Sequence, residues 1–595
     1  MLIKALCDYC DILDERGKTL DDKYSFVDIS YLVSLTPEGN IDNIIDYRDT
    51  EVIINGTKQK EKKIPKKLIM PKRTEKSGIE ANIIEHRPVY IFGLNMDKEI
   101  LTTEDKTNKA ENSHKEFVEK NKAFLEGIDA PVVNAYRNFI VNWIPANETE
   151  NRYLLSLGKE YNKYFAFCLS GEPDKLLHDN PQVKEKWNEI YSNQKDGEEA
   201  VFAQCAIDGQ AAPIAKIHSK IKGIKGGLPT GGVLIGFNNE AEESYGHKQS
   251  YNSNISESVM HKYTKALNYL LNSEKNKNSI DDVTVVFWAM SKEEKYDDLL
   301  SAILFYNSNV LDTEQTEEML AKLMESAKDG NIVTSRLDGF ENIDPDVDFY
   351  IVGFKPNSSR IALKFIYHKK IGFILENIAR HQNDMRIVGQ KKTVELWRLK
   401  NELISPKSKN ETVDPSLLAK IFEAIIYNSR YPEYLLATVV YRVKTDTDLK
   451  LNYIRAGIIK ACINRKERSL CRGEELTVAL NRENNNQAYL CGRLFAVLER
   501  LQQSASNNQL NRTIKDAYFS SAASKPAIIF PKLLKLAQNH LNKVSSPVFF
   551  NKSIGEIVNS LDGKFPDTLN LTEQGKFMIG YYHQNQSFFE KNDDK

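Results

Sequence analysis

The chain has 595 residues, with 81 Lys and Arg against 82 Asp and Glu, for a net charge of −1. Its 41% hydrophobic and 27% charged residues are those of a globular protein long enough for several cores. No run of 18 apolar residues occurs, which excludes a membrane-spanning helix. The acids of MLIKALCDYCDILDE come too early for a signal peptide, so a cytoplasmic protein is expected.

The near-zero net charge hides an asymmetry. Residues 391–595 carry 31 basic against 21 acidic residues, and residues 1–390 carry 50 against 61. The basic rear third points to an anionic partner. Seven cysteines, an odd number, suit reduced thiols. Cys7 and Cys10 form a lone CxxC with no second ligand pair at zinc spacing, and they fall inside an amphipathic helix. They read as core packing.

In chain order, Leu2, Leu6, Tyr9 and Leu13 predict a helix over 2–14. Strands follow at 25–35 and 41–48, joined by the turn Thr36-Pro37-Glu38-Gly39-Asn40. Residues 58–76 (KQKEKKIPKKLIMPKRTEK) hold nine basic residues against Glu61 and Glu75, and Pro65 and Pro71 forbid a long helix. This stretch reads equally as a phosphate-tracking loop or a solubilising one. Residues 88–94 read as a buried strand, 103–125 as a polar helix, 164–169 and 201–207 as strands, and 173–195 as a charged helix.

Residues 221–238 (IKGIKGGLPTGGVLIGFN) are the strongest glycine cluster. Gly226 and Gly231 have the spacing of a nucleotide phosphate loop, but Gly232 and Val233 stand where Lys and Ser or Thr are required. That excludes a nucleoside triphosphatase of this type. A tight turn or a backbone loop approaching a nucleic-acid groove remains, flanked by Lys222 and Lys225. The next stretch, 237–254, is rich in amide and hydroxyl groups. A helix at 257–271, a strand at 283–290, helices within 296–328 and a hairpin of 348–354 with 360–368 complete an α+β region.

After Ile371 the patterns are helical, at 371–384, 393–404, 415–429 and 451–465. The fold class is therefore an α+β N-terminal region followed by an all-α C-terminal helical bundle. Within 487–543 two helical patterns face each other. The first has Leu490, Leu494, Val497, Leu498 and Leu501 inward, with Arg493, Glu499 and Arg500 left for solvent. The second has Leu533, Leu534, Ala537 and Leu541 inward, while Lys532, Lys535, Asn539 and Lys543 step along another face. That row is either a solvated face or the wall of a groove for something anionic. No catalytic motif or paired-metal acidic motif occurs, so no catalytic residue, metal or cofactor is assigned.

Taken together, several stretches resemble one family. They are MLIKALCDYCDIL, GVLIGFNNEAEESYGHKQSYNSNISESVMHKYTKALNYLL, DVDFYIVGFKPNSSRIALKFIYH, AYLCGRLFAVLERLQQ, TIKDAYFSSAASKPAIIFPKLLKLAQNHL and LTEQGKFMIGYYHQ. In this order they resemble the large subunit of the type I-C (Dvulg subtype) CRISPR Cascade interference complex, over essentially the whole chain. The segment 80–94 departs from the family pattern, keeping only Asn82 and the Tyr90–Gly93 tail.

The resemblance implies a non-enzymatic subunit that reads the protospacer-adjacent motif in target double-stranded DNA, helps open the duplex and holds the displaced strand. Implied partners are the guide RNA complex (backbone subunits, guide-processing subunit and small subunit) and a helicase-nuclease. Sequence readout belongs mainly to the guide. On this basis Lys62, Lys63, Lys66, Lys67, Lys72 and Arg73 are expected on duplex phosphates. Asn82, Lys222, Lys225, Gly226, Gly227, Gln249, Ser250 and Asn252 are expected at the motif, and Arg493, Lys532, Lys535 and Lys543 along the displaced strand. The expected regions are 1–370 for DNA and motif recognition, 371–477 as a helical connection, and 478–595 as a bundle resembling the small subunit. No methionine lies between Met385 and Met578, so an internal start for a separate small subunit would use a non-AUG codon, with Val478 the candidate. A nuclease and a purely structural bridge are the competing readings.

Overall fold

A computed structural model describes every residue except 20, 22, 56–57, 73–77, 98, 104–107, 195–200, 238, 244, 307–312, 329–342, 406, 409–411, 447–450, 507–509 and 590–595. Backbone contacts divide the chain into two units. One comprises Leu13–Ala215 and Ser253–His261; the other comprises Met1–Ile12, Lys216–Asn252 and Lys262–Lys595.

The smaller unit is built on Tyr31–Leu35, an uncharged strand buried at every position. It pairs antiparallel with Ile41–Asp46 and parallel with Phe165–Leu169, which has Glu172–Leu176 on its other side. The turn at Thr36–Asn40 forms as its residues predict, with the Gly39 N–H donating to Thr36 O at 2.9 Å. Gly39 has φ +91°, and a Cβ there would stand 2.7 Å from Asn138 Cβ. Glycine lets the Pro131–Asn142 helix close on this turn, where Asn138 donates to Pro37 O at 2.9 Å.

Three expectations change here. The stretch 25–35 is two strands, because Ser30 turns its N–H to Tyr164 O and frees Tyr24–Ile29 to pair with Lys66–Pro71. Residues 58–71 are not a loop: Lys58–Ile64 pairs with Asp49–Asn55, and Lys66–Pro71 continues beyond Pro65, which has no N–H to donate to either ladder. Residues 88–92 form a short helix rather than a strand. Pro88 pre-sets its first turn and Gly93, at φ 66°, closes it, so Tyr90, Ile91 and Phe92 are buried together.

The larger unit carries an antiparallel sheet in the order Lys277–Ile280, Val283–Ala289, Asp348–Asn357, Arg360–Lys370. Val283–Ala289 is buried throughout because both faces are covered. On one face Trp288 meets Tyr350 at 5.1 Å and Tyr9 of the N-terminal helix at 5.9 Å. On the other, Phe287 meets Phe305 at 5.1 Å. Cys7 and Cys10 are buried in that helix, and burial pushes the Cys7 thiol up to about 12. The pair is core packing, as its position predicts.

Beyond Lys370 every regular element among the described residues is a helix, as expected. One apolar core runs from Ile280 to Tyr582. The change of element type at 370 and the position 478 therefore both lie inside a single unit. The Gln487–Ala505 helix is the centre of this core. Its intimate partner is Leu571–Ser587, since Gly492 faces the Phe577 carbonyl and Gly580 faces the Tyr489 carbonyl with backbone against backbone. Covered all round, this helix buries Arg493 and Glu499 to 8% and 6% exposure instead of leaving them for solvent. Glu499 accepts from Tyr581 Oη at 2.7 Å and Thr513 Oγ1 at 2.8 Å, and Arg493 Nε donates to Gln584 Oε1 at 3.2 Å. Arg500 is half-buried.

Buried histidines give both units an acid limit. Burial pushes His178, His218 and His583 down to about 4, and His381 to about 3, from an ordinary value of 6.5. Their folded-state values are depressed, so the unfolded chain takes up protons first as pH falls. The stability they allow is complete above about 6.5 and is lost as pH falls towards 4. At pH 5.5 each costs about 1 kcal/mol relative to pH 7.5. Thermal unfolding profiles should therefore shift down between these pH values, and His218→Gln should flatten the shift; an unchanged profile would count against this account.

Candidate nucleic-acid interface

On the smaller unit, the strand arrangement displays Lys62, Lys63 and Lys67 as exposed side chains, with Lys66 and Lys72 half-buried. Strand alternation sends neighbours to opposite faces. Lys63 Nζ lies 3.3 Å from Asp46, while Lys66 Nζ lies 3.5 Å from Asp49 and 4.3 Å above the Tyr47 ring. Part of this cationic surface is thus already neutralised. The Lys72 N–H donates to Lys23 O at 2.8 Å, tying the end of the segment to the strand entry. Arg73 lies outside the described residues.

Asn82 is turned inward. It is 4% exposed and donates to Glu85, whose fully buried carboxylate also accepts from Arg87 Nε at 2.8 Å and from the Asn82, His86 and Arg87 N–H groups. Burial pushes the Glu85 carboxyl up, and the Arg87 guanidinium with these donors more than offsets it, holding it below the usual range. Asn82 is part of that anchor and presents no base-reading edge in this arrangement.

The glycine cluster of the larger unit is a pinned turn. Ile221 and Gly232 exchange backbone hydrogen bonds at 2.8 and 2.9 Å. Gly231, at φ +84°, has no room for a Cβ, which would be 2.7 Å from Ile221 O. Val233 N–H donates to Ser359 O at 3.0 Å, fixing the loop to the turn of the 348–370 hairpin. Lys222 and Lys225 are exposed on it, with Lys225 Nζ donating to Asp281 O at 2.9 Å. Gly226 is exposed and Gly227 half-buried.

The amide-rich stretch behaves differently from expectation. Ser250 is 2% exposed, and its N–H donates to Lys216 O at 3.2 Å. Asn252 Nδ2 donates to His247 O at 2.9 Å and Gln249 O at 3.0 Å. Gln249 is half-buried, and its Oε1 has no hydrogen-bond partner among the described residues. Short polar side chains satisfy the backbone of an irregular loop before they offer anything outward. The groups on the surface here are instead Lys216, Lys220, Lys248 and the 99% exposed Tyr245. The lysines could have been found from residue type alone, since Lys is seldom buried.

On the helical side, Pro526–Leu541 buries Ile529, Phe530, Leu533, Ala537 and Leu541 and turns Lys532, Lys535 and Asn539 outward. Lys543, just past its end, is exposed too, as are Lys525 and Lys552. No acidic residue occurs between Asp516 and Glu556. Among the described residues, none of these five lysines forms an ion pair. Burial first, and then the charge of Lys543, lower the neighbouring His540. Arg493, expected in this row, belongs to the core instead.

The internal ion pairs of the bundle sharpen the charge argument. Arg455 with Glu402 and Asp446, Arg465 with Asp384, and Lys576 with Glu467 place three basic and four acidic groups in ion pairs within the bundle. Basic strands, a basic glycine turn and an acid-free helical segment are the cationic features that the described residues display.

The family follows from the sequence as a whole. The model of the CRISPR-associated protein family Cas_Csd1 matches residues 6–589, and the chain belongs to that family. It is thus a CRISPR-associated subunit of the Cascade type. No curated protein matches the chain. Among the described residues, no helix is long and apolar enough to cross a membrane.

Proposed function

We propose that this chain is the non-catalytic large subunit of a type I-C RNA-guided surveillance complex. In this reading it binds target double-stranded DNA, takes part in recognising the protospacer-adjacent motif, stabilises the displaced strand and recruits the helicase-nuclease. The backbone, guide-processing and small subunits of the guide RNA complex are its partners. The observation that carries the reading is the acid-free face between Asp516 and Glu556, with five exposed lysines. A solvated surface of ordinary composition intersperses both signs; a surface that tracks phosphates does not. The motif-reading group contracts to Lys222, Lys225, Gly226 and Gly227, where a rigid turn presents backbone and two ammonium groups.

Binding titrations across a salt series test this. Alanine at Lys62, Lys63, Lys66 and Lys67 should weaken duplex binding whatever its sequence, and lower the salt slope by ~0.9 per lost phosphate contact. Alanine at Lys532, Lys535 and Lys543 should instead weaken single-strand binding, lowering its slope by ~0.7 per contact. Slopes unchanged in both sets would sink the reading.

A further inference from the structure

In the larger unit a cavity of about 310 Å³ opens beside the Lys277–Ile280 strand, within the range of small-ligand sites. Its wall is Trp397, which is 56% exposed, whereas Trp288 and Trp187 are buried and Trp143 is half-buried. The Trp397 indole N–H donates to the Glu395 carboxylate, which holds the ring in one orientation at the cavity mouth. Leu304, Phe305 and Leu418 supply an apolar lining.

The lip carries two lysines, Lys225 and Lys400, and two acids, Asp281 and Glu395, and one residue organises the lysines. Asp281 sits at φ 58° in the two-residue turn between Ile280 and Val283. Its carbonyl accepts from Lys225 Nζ at 2.9 Å, and its carboxylate accepts from Lys400 Nζ at 3.0 Å. Two ammonium groups are thereby brought to the same edge. The acids nearby are engaged: Asp281 by Lys400, and Glu395 by Trp397 and by Arg398 at 3.4 Å. A flat aromatic wall, an apolar lining and two ammonium groups, one of them held by a neutral carbonyl, match a planar base joined to a phosphate that displaces Asp281 from Lys400.

We propose that this cavity takes a single unpaired nucleotide, with its base stacked on Trp397 and its phosphate at Lys225 and Lys400. This rests on the nucleic-acid reading above and deepens it, because it gives the glycine turn that carries Lys225 a specific task. That task is to hold a phosphate while the base leaves its stack. Stacking on one aromatic ring is tolerant of base identity, so the cavity selects for an unpaired nucleotide and not for a sequence.

The test is a fluorescence titration of the full chain with a short oligothymidylate and, separately, with AMP. Trp397 is the most exposed tryptophan, so its stacking should dominate the quench. Trp397→Ala should weaken oligothymidylate binding roughly tenfold and abolish the quench, while Trp397→Phe keeps most of the affinity. The double variant Lys225→Ala with Lys400→Ala should weaken binding and leave the remaining quench salt-insensitive. Quenching by the oligomer alone assigns the nucleotide to a strand, and equal quenching by AMP assigns it to a free mononucleotide. If Trp397→Ala binds oligothymidylate like the parent chain, the cavity proposal fails and the nucleic-acid reading stands. If the parent chain binds no nucleic acid, both fail.

Discussion

Replacing Gly492 by alanine should strongly destabilise the core of the helical part of the chain. The Gln487–Ala505 and Leu571–Ser587 helices touch through their backbones at this point, and the contact is reciprocal. A Cβ on Gly492 would overlap the Phe577 carbonyl oxygen and stand 2.8 Å from both its carbon and Tyr581 N. A Cβ on Gly580 would overlap the Tyr489 carbonyl and stand 2.9 Å from its carbon. Non-bonded carbon contacts settle near ~3.5 Å, so the helices must separate by roughly an ångström. Separation is costly because Phe495 packs at 6.0 Å from both Phe577 and Tyr581, and Glu499 reaches Tyr581 across the same seam.

Ordinary overpacking costs about 1–3 kcal/mol, and a clash with backbone, which has no rotamer to escape into, belongs at or above the top of that range. Gly492→Ala and Gly580→Ala should each reduce soluble yield and lower the urea midpoint by an amount equivalent to about 3 kcal/mol or more. Gly555→Ala is the control: nothing stands within 4 Å of its added Cβ, so the substitution should be neutral or slightly stabilising. If Gly492→Ala unfolds at the same urea concentration as Gly555→Ala, the helices do not pack as described.

Much of the fold could be read before the structure, and what could not has a common cause. The helix at 371–384, the hairpin at 348–368 and the turn at 36–40 follow from periodicity and turn residues, which are local. The short helix at 88–92 carried its own Pro and Gly signals, yet five residues, four of them buried, read equally well as a strand. Arg493 and Glu499 were misplaced because local pattern assigns a charged residue to the outside of a helix. It cannot reveal that a second, third and fourth helix cover that outside. The glycines at 492 and 580 are silent for the same reason, since each has meaning only beside the other.

At the candidate site, exposed lysines were legible and amide groups were not. Lysine stays at the surface almost regardless of context, whereas Asn82 Nδ2 donates to the buried Glu85 carboxylate, Asn252 Nδ2 donates to the His247 and Gln249 carbonyls, and Ser250 is buried. Trp397 and Asp281 lie 116 positions apart in the chain, and no sequence pattern pairs them.

Asp384→Ala should be the most damaging single change among the buried charges, and more damaging than removing its main partner. Asp384 is 6% exposed and accepts from Arg465 Nε at 2.7 Å and Arg468 at 2.8 Å, while its own carbonyl accepts from Lys460 Nζ at 2.8 Å. Arg465 is 3% exposed, lies 4.3 Å from the Tyr431 ring centre and also donates to Ala424 O and Ser429 O. It keeps those neutral acceptors when the carboxylate goes, but its charge is then buried without a counterion. The cost of stranding one charge in this way is about 3–5 kcal/mol.

Lys460 compounds the loss. Burial already pushes it down to about 8, and the Asp384 carboxylate is the leading influence that opposes that fall. Arg465→Met should cost less, because Asp384 then retains Arg468, whose side chain is 44% exposed and can follow it toward water. The pair Asp384→Ala with Arg465→Met should recover part of the single-variant loss, since an apolar replacement of both partners leaves neither charge stranded. Urea unfolding of the three variants measures these differences directly. An Arg465→Met cost equal to or above that of Asp384→Ala would show that the arginine's carbonyl and ring contacts, rather than the carboxylate, hold this part of the core together.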